Sequence, residues 1–220
     1  MIFKIYLPVR NEAIDLQNTI YSIKKYTNDQ IIVVDNNSTD NSIEIAKKLN
    51  LEIWQEKKIG KANVIKKIFA KSDADVIFFT DSDNTYDFSQ YNFHKKQMIA
   101  NNYDMIIGKR NYEKKYLKRI DRKLANKIFN FLFKILIGGN FNDICSGYRF
   151  IKKNKIQNMI IHSKNFEIET EINIFSIRQK FKTQEFEINY RERVDSISKL
   201  KTFKDSAMIV WFLIKKTFSN

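Results

Sequence analysis

The feature that most constrains this chain is a rhythm. Short apolar, β-branched runs alternate with segments whose apolar residues recur every three or four positions. Residues 2–7, 31–34, 51–54 and 76–79 read as strands. Residues 12–26, 40–49 and 61–70 between them carry helical spacing, with Ile14, Leu16, Ile20 and Ile23 on the first stripe. A run as continuously apolar as 31–34 suits a parallel strand buried on both faces. The alternation predicts an α/β fold, a Rossmann-like and mostly parallel sheet flanked by helices with right-handed crossovers. Farther on, residues 104–107 read as a strand, 116–137 as a long basic helix stopped by Gly138-Gly139, 166–180 as a helix, 183–190 as a strand and 203–216 as a closing helix. No repeat, linker or low-complexity tract divides the 220 residues, so one domain, 1–220, is expected.

Open sheets of this kind bind ligands beyond the carboxyl ends of their strands. Three polar clusters fall there: Arg10-Asn11-Glu12, Asp35-Asn36-Asn37-Ser38-Thr39-Asp40, and Asp81-Ser82-Asp83. Two carboxylates two residues apart after a buried strand, Asp81 and Asp83, can share one hard cation; Mg²⁺ or Mn²⁺ prefers such oxygen ligands and also takes phosphates. The same four residues, Asp-Ser-Asp-Asn, are also good turn chemistry. Asp35 and Asn36 can hydrogen-bond a nucleobase edge, while Asp40 caps the next helix. Gly60 lets backbone approach a ligand, and Lys61 stands in the first helical turn, where a cation opposes the dipole and suggests a phosphate partner. The spacing is not that of a Walker A loop. Asp143-Ile144-Cys145-Ser146-Gly147-Tyr148-Arg149 is either an ordinary turn before a strand or an anion site in which Arg149 acts as a bidentate donor. Arg193, Ser198 and Lys199 form a basic loop that could close over phosphates or remain solvated. His94 and His162 lack partners at metal-ligand spacing and read as structural, as does Cys145.

Composition excludes several classes. One Cys rules out an internal disulfide and a cysteine metal cluster, and five Gly with one Pro rule out collagen-like and Pro-rich chains. The net charge of +14 favours phosphates, either in nucleotides or on anionic lipid, although drift toward Lys, Ile and Asn explains part of it. The charge and the 14% aromatic content also raise a nucleic-acid-binding module, but no helix-turn-helix, zinc finger or RNP pattern appears. No targeting peptide is visible and no apolar run is long enough for a spanning helix. The 116–137 segment mixes Lys118, Arg119, Arg122, Lys123, Lys127 and Lys134 with Leu124, Ile128, Phe131, Leu132, Ile135 and Leu136. It suits an interfacial amphipathic helix or a core helix with a basic outer face.

Taken in order, Leu7-Pro8-Val9-Arg10-Asn11-Glu12, the Val34–Asp40 cluster, Gly60-Lys61-Ala62-Asn63 and Asp81-Ser82-Asp83 resemble family 2 glycosyltransferases of the GT-A fold. Asp143-x-x-Ser146-Gly147-Tyr148-Arg149, Phe166-Glu167-Ile168-Glu169 and Tyr190-x-x-Arg193-x-x-x-x-Ser198-Lys199-Leu200 are similar to the dolichyl-phosphate mannosyltransferase-like branch. The resemblance implies inverting sugar transfer from a GDP- or UDP-linked donor to a polyprenyl phosphate on the cytosolic membrane face. The enzyme would be cytoplasmic, peripherally held on an anionic membrane surface, and no nucleic acid is expected. Residues 1–110 would be the nucleotide-sugar half and 111–220 the acceptor and membrane-facing half. The resemblance places Pro8, Arg10, Glu12, Asp35, Asn36 and Lys61 at the donor. Asp81 and Asp83, with Ser82 between them, would hold Mg²⁺ or Mn²⁺ and the diphosphate. Ser146, Arg149, Arg193, Ser198 and Lys199 would handle phosphates, and Glu167 and Glu169 would face the sugar or brace the acceptor side. Asp83, Arg193 and Asp143 are the candidate catalytic residues, Asp143 as base if the acceptor is instead a saccharide hydroxyl of a surface polysaccharide. Arg10, Asn36, Thr85 and Ser196 depart from the family's usual Tyr, Asp, amide and Gly, and the tail lacks the transmembrane helices of many bacterial relatives.

Overall fold

The computed structural model describes residues 1–112, 120–191 and 210–215, with side chains from 112 to 125 left aside. The sheet has seven strands: β1 (Phe3–Val9), β2 (Gln30–Asp35), β3 (Glu52–Gln55), β4 (Val76–Phe79), β5 (Met105–Tyr112), β6 (Arg149–Lys152) and β7 (Thr183–Tyr190). Their order is β3-β2-β1-β4-β6-β5-β7. All neighbours are parallel except β6, which runs antiparallel to both β4 and β5. This is the mostly parallel α/β sheet expected from the alternation, and it agrees with the GT-A fold that the resemblance implies.

Among the described residues the helices that follow one another along the chain are α1 (Leu16–Lys24), α2 (Ser42–Lys48), α3 (Lys61–Lys71), α4 (Tyr91–Ala100), α5 (Ile120–Ile137) and α6 (Ile168–Arg178), with 210–215 helical as well. Period-two alternation along β1 sends Ile5, Leu7 and Val9 to one face, against Leu16, Ile20 and Ile23 of α1 and Tyr91 and Met98 of α4. Tyr6, Ile32, Val34, Ile77 and Phe79 point to the other face, against Ile65 and Ile68 of α3 and Ile168 and Ile172 of α6. A third cluster joins Phe129 and Phe133 of α5 to Ile144, Ile174, Phe212 and Leu213.

The first helix starts at Leu16, not near residue 12, because the chain first turns through Asn11 at φ 52° and through Glu12, whose carbonyl accepts from Asp15 and Leu16. Asn11, Asn37 and Asn84 all adopt the left-handed region, one in each polar cluster that leaves a strand. Asp40, one residue before the N-cap Asn41, accepts from the backbone N–H (3.0 Å) and hydroxyl (2.5 Å) of Ser42, the first residue of α2. Helix α4 has no expectation behind it: Tyr91, His94 and Met98 face inward, but exposed Phe93 and Ile99 blur the stripe. Helix α5 stops where the two glycines predict, with Gly138 at φ 84°. Only 210–215 of the closing helix is described, and it is helical.

His94 is completely buried, its Nδ1 2.9 Å from the Tyr148 hydroxyl and its ring stacked on Phe186. Burial pushes its pKa down to about 4. The unfolded chain titrates near 6.5, so between these values the unfolded state binds more protons. The resulting stability is complete above pH 6.5 and is lost as pH falls toward 4, a change on the order of 3 kcal/mol. Denaturant unfolding of His94→Leu across pH 4–7 should show a shallower loss than the wild type over that window; equal slopes would remove His94 from the acid sensitivity.

Candidate active site

Three of the polar clusters converge at the carboxyl edge of β1, β2 and β4. They are tied to one another by backbone. Thr39 N–H donates to Asn11 Oδ1 (2.7 Å), Ala13 N–H to Asp40 Oδ2 (3.0 Å) and Glu12 N–H to Ser42 Oγ (2.8 Å). Asp35 is buried at the end of β2 and accepts from Ser38 N–H (3.1 Å). In the first cluster Glu12 is buried and Arg10 is exposed.

The Asp81-Ser82-Asp83 loop is pinned on the same edge. Ser82 Oγ donates to the Pro8 carbonyl at 2.9 Å, so Ser82 and Pro8 lock the loop to β1. Asn84 N–H donates to Thr19 Oγ1 of α1 (2.9 Å), and Thr85 Oγ1 donates to Asp83 Oδ1 (2.5 Å). The Lys61 ammonium lies 2.5 Å from Asp81 Oδ1 and 2.5 Å from Glu169 Oε1. Burial alone would lower the Lys61 pKa, but the two carboxylates outweigh it and raise it above the ordinary lysine value. Burial raises the Glu169 pKa against the pull of Lys61. Glu167 caps the turn before α6 by accepting from Asn165 N–H (3.0 Å).

The segment before β6 forms the opposite wall. Gly147 sits so close to Asp81 that a Cβ there would fall 2.5 Å from Asp81 Oδ2. Its N–H donates to the Tyr86 hydroxyl (2.8 Å). Asp143 is buried and accepts a bidentate pair from Arg110, Nε at 2.8 Å and Nη2 at 2.7 Å, together with the Arg110 backbone N–H and Asn126 Nδ2. The Arg110 guanidinium also stacks on Tyr190, 5.3 Å from the ring centre. Tyr190 in turn bridges to Tyr86, and Arg191 N–H donates to the Thr85 carbonyl (2.9 Å). The end of β7 therefore lies beside the Asp81–Asp83 loop. Arg193, Ser198 and Lys199 lie outside the described residues.

Three of the residues expected at ligands are engaged by groups within the protein. Arg149 is fully buried, and its guanidinium donates to the carbonyls of Ser146 (2.8 Å) and Ile144 (3.0 Å) and to Asn173 Oδ1 (2.5 Å). It stabilises the 144–146 loop from inside the protein. Ser146 is equally buried and donates to the Gly108 carbonyl (2.6 Å). Asn36 spends its amide on the 56–60 loop, donating to the Glu56 and Lys58 carbonyls and accepting from Gly60 N–H at 2.8 Å. Arg110, Tyr86 and Asn173 had no expected role. Arg110 carried the one available signal, a basic residue at a strand end.

Among the described residues no group of three or more His, Cys, Asp or Glu could hold a metal ion. What the loop offers is two carboxylates, one of them, Asp81, 31% exposed. A pair of hard oxygen donors fits Mg²⁺ or Mn²⁺, which fills its remaining positions with phosphate and water.

A strand-end acidic loop on a sheet of this order defines a GT-A nucleotide-sugar-binding fold. A model of the family described as glycosyl transferase family 2 matches residues 4–160, and the chain belongs to that family. It is 26% identical to glycosyltransferase AglJ of Haloferax volcanii, over 98% of this chain and 72% of AglJ. It is also 26% identical to a dolichyl-phosphate hexose transferase of the same organism, over 84% of this chain and 80% of that protein. Glucosyl-3-phosphoglycerate synthase from Mycobacterium tuberculosis, solved with Mn²⁺, UDP and phosphoglyceric acid, superposes with a TM-score of 0.76 at 15% identity, over 100% of this chain and 79% of that one. This likeness shares the fold.

Gly60 sets where Lys61 enters the site. It adopts φ 127°, and a Cβ would lie 2.2 Å from the Lys164 carbonyl oxygen. Gly60→Ala should therefore cost about 1–3 kcal/mol through backbone strain and the clash. A denaturant midpoint equal to the wild type's would show that the 164–165 segment gives way freely.

Proposed function

We propose that this chain transfers a sugar, with inversion, from a GDP- or UDP-linked donor to a polyprenyl phosphate at an anionic membrane surface. The observation that carries the reading is the pinned Asp81-Ser82-Asp83 loop on the carboxyl edge of the sheet, walled by Gly147 and Lys61 and flanked by the end of β7. Family membership supports the donor class, and the dolichyl-phosphate relative supports the acceptor. The nucleotide would lie along Pro8, Arg10, Glu12 and Asp35. Asp81 and Asp83 would hold Mg²⁺ or Mn²⁺, which supplies positive charge to the departing diphosphate.

The acceptor phosphate oxygen is already anionic. Its lone pair forms the new bond to the anomeric carbon while the bond from that carbon to the diphosphate oxygen breaks, and the electron pair leaves with the nucleoside diphosphate. No proton has to move, so positioning and charge relief suffice. Asp143, with both oxygens engaged by Arg110, then serves to orient that guanidinium at the acceptor wall. Arg193, Ser198 and Lys199 are proposed to meet phosphates from the segment that follows Arg191.

The membrane part of the reading rests on a surface. No helix among the described residues is long and apolar enough to cross a membrane. Yet Ile128, Phe131 and Ile135 stand one to two turns apart on α5 and are 48%, 62% and 62% exposed. Trp211 and Ile214 are 62% and 44% exposed, on the segment whose Phe212 and Leu213 pack into the α5 cluster. Lys127 and Lys134 are exposed on α5, and Lys215 lies 5.2 Å over the Trp211 ring. An apolar stripe with a tryptophan and lysine stems is the pattern of a helix lying in the headgroup region.

Incubation with a panel of nucleotide sugars and Mn²⁺ or Mg²⁺ should give a lipid-linked sugar with a short polyprenyl phosphate and none with oligosaccharide acceptors; the reverse pattern would move the acceptor to a saccharide hydroxyl. Asp83→Ala should abolish that transfer with unchanged circular dichroism, and retained turnover would count against its metal role. Phe131→Glu together with Trp211→Glu should weaken cosedimentation with anionic vesicles more than tenfold, since each large side chain contributes about 1.5–3 kcal/mol when buried. Unaltered vesicle binding by the folded variant would refute the surface.

A further inference from the structure

In the free protein Asp81 already has a cation. The Lys61 ammonium bridges Asp81 and Glu169 at 2.5 Å each, and the three groups differ in wetness: the Asp81 side chain is 31% exposed, Lys61 12% and Glu169 3%. Glu169 is thus the dry anchor and Asp81 the end that faces the cleft. Lys61 is fixed from behind as well. It opens α3 directly after Gly60, whose backbone is wedged against the Lys164 carbonyl, and its ammonium lies 5.9 Å from the centre of the Phe166 ring. The wall on the other side of Asp81 is the Gly147 backbone.

We propose that Lys61 is an exchangeable counter-cation for Asp81: it neutralises that carboxylate in the free protein, yields it when a divalent cation arrives together with a diphosphate, and stays in place through Glu169. The inference rests on the reading of Asp81 and Asp83 as the metal-holding pair. An ammonium and a divalent cation on one carboxylate repel each other in a partly dry site, where charges are poorly screened. Metal alone therefore has to displace Lys61 and gains little. A diphosphate changes the balance, because its oxygens add ligands for the metal and a new acceptor for the displaced ammonium. Metal loading becomes coupled to arrival of the donor. Glu169 acts as a positioning residue, since it holds the ammonium within reach of both states.

The test measures Mn²⁺ binding by the loss of free aqueous Mn²⁺ signal in electron paramagnetic resonance, with no acceptor and no turnover. The protein is titrated with Mn²⁺ alone, with Mn²⁺ and UDP, and with Mn²⁺ and GDP. Wild type should bind Mn²⁺ weakly alone and about tenfold or more tightly with one of the nucleotides, the effect of a unit charge at close range. Lys61→Gln should tighten binding of Mn²⁺ alone by about tenfold and shrink the gain from nucleotide. The double variant Lys61→Gln with Glu169→Gln removes the orphaned buried carboxylate and should show the same tightening, which keeps the test informative if the single variant unfolds. Glu169→Gln alone should weaken Mn²⁺ binding, because Lys61 then rests on Asp81 only; a purely structural Glu169 would leave the affinity of the folded protein unchanged. Mn²⁺ affinity that stays the same or falls in the Lys61 variants overturns the proposal while the metal reading survives. Absence of Mn²⁺ binding by wild type with either nucleotide overturns the metal reading and this inference together.

Discussion

The Arg149 guanidinium sits wholly inside the protein, and the wall that faces the acidic loop depends on how it is satisfied. A buried cation is costly unless its donors are matched. Here burial lowers the Arg149 pKa below the ordinary arginine value, and the donors go to the carbonyls of Ile144 and Ser146 and to Asn173 of α6. Those bonds fold the 144–146 loop back onto the start of β6. Gly147, the next residue, is thereby set against Asp81. Asn173 donates to the same Ile144 carbonyl at 3.1 Å, so α6 is fixed by the same loop, and α6 carries Glu169 to Lys61. One interior cation thus relates the acidic loop after β4 to elements almost a hundred residues later.

This arrangement works because β6 is antiparallel. A parallel strand between β4 and β5 would bring its amino end, and the loop before it, to the edge away from the ligand. Reversal brings the 143–149 segment to the carboxyl edge of β4, where Phe79 pairs with Arg149. The same reversal lets Ile107 of β5 pair with Arg149 from the other side, so Arg110, three residues on, reaches Asp143.

The parallel half was legible because its physics is local. Continuous β-branched runs, helical stripes and polar clusters at strand ends are read within windows of ten residues, and β1 to β4 with α1 to α3 fall near where the pattern puts them, apart from the later start of α1 at Leu16. Direction of pairing is not local, which is why the reversed β6 left no mark in the sequence, and α4 hid because Phe93 and Ile99 face solvent. Among site residues, residue type told where polar chemistry gathers but not which way it faces. Asn36, Ser146 and Arg149 have the chemistry of ligand contacts, and each also satisfies backbone that would otherwise be buried without partners. Asp81 and Lys61 were read as donor-side groups, but their ion pair joins residues twenty apart in sequence through a third, Glu169, from another element. Such a triad is visible only after folding.

The basic surplus of the chain is therefore not one property. Some of it is spent inside: Arg149 on a loop, Arg110 on Asp143, Lys61 between two carboxylates. Arg110 and Lys61 are cancelled over a short distance by carboxylates, while Arg149 is held by neutral carbonyls and an amide, so all three set geometry from fixed positions. An exposed share stands elsewhere, with Lys127 and Lys134 at the surface of α5 beside Ile128, Phe131 and Ile135. Charge at a surface acts beyond contact, out to about a Debye length of 8–10 Å. The cations that shape the site and those that can draw the protein toward an anionic surface are consequently different residues on different elements. Altering one set leaves the other in place, and the two halves of the proposed activity, chemistry at the sheet edge and access to a lipid, are separable by mutation.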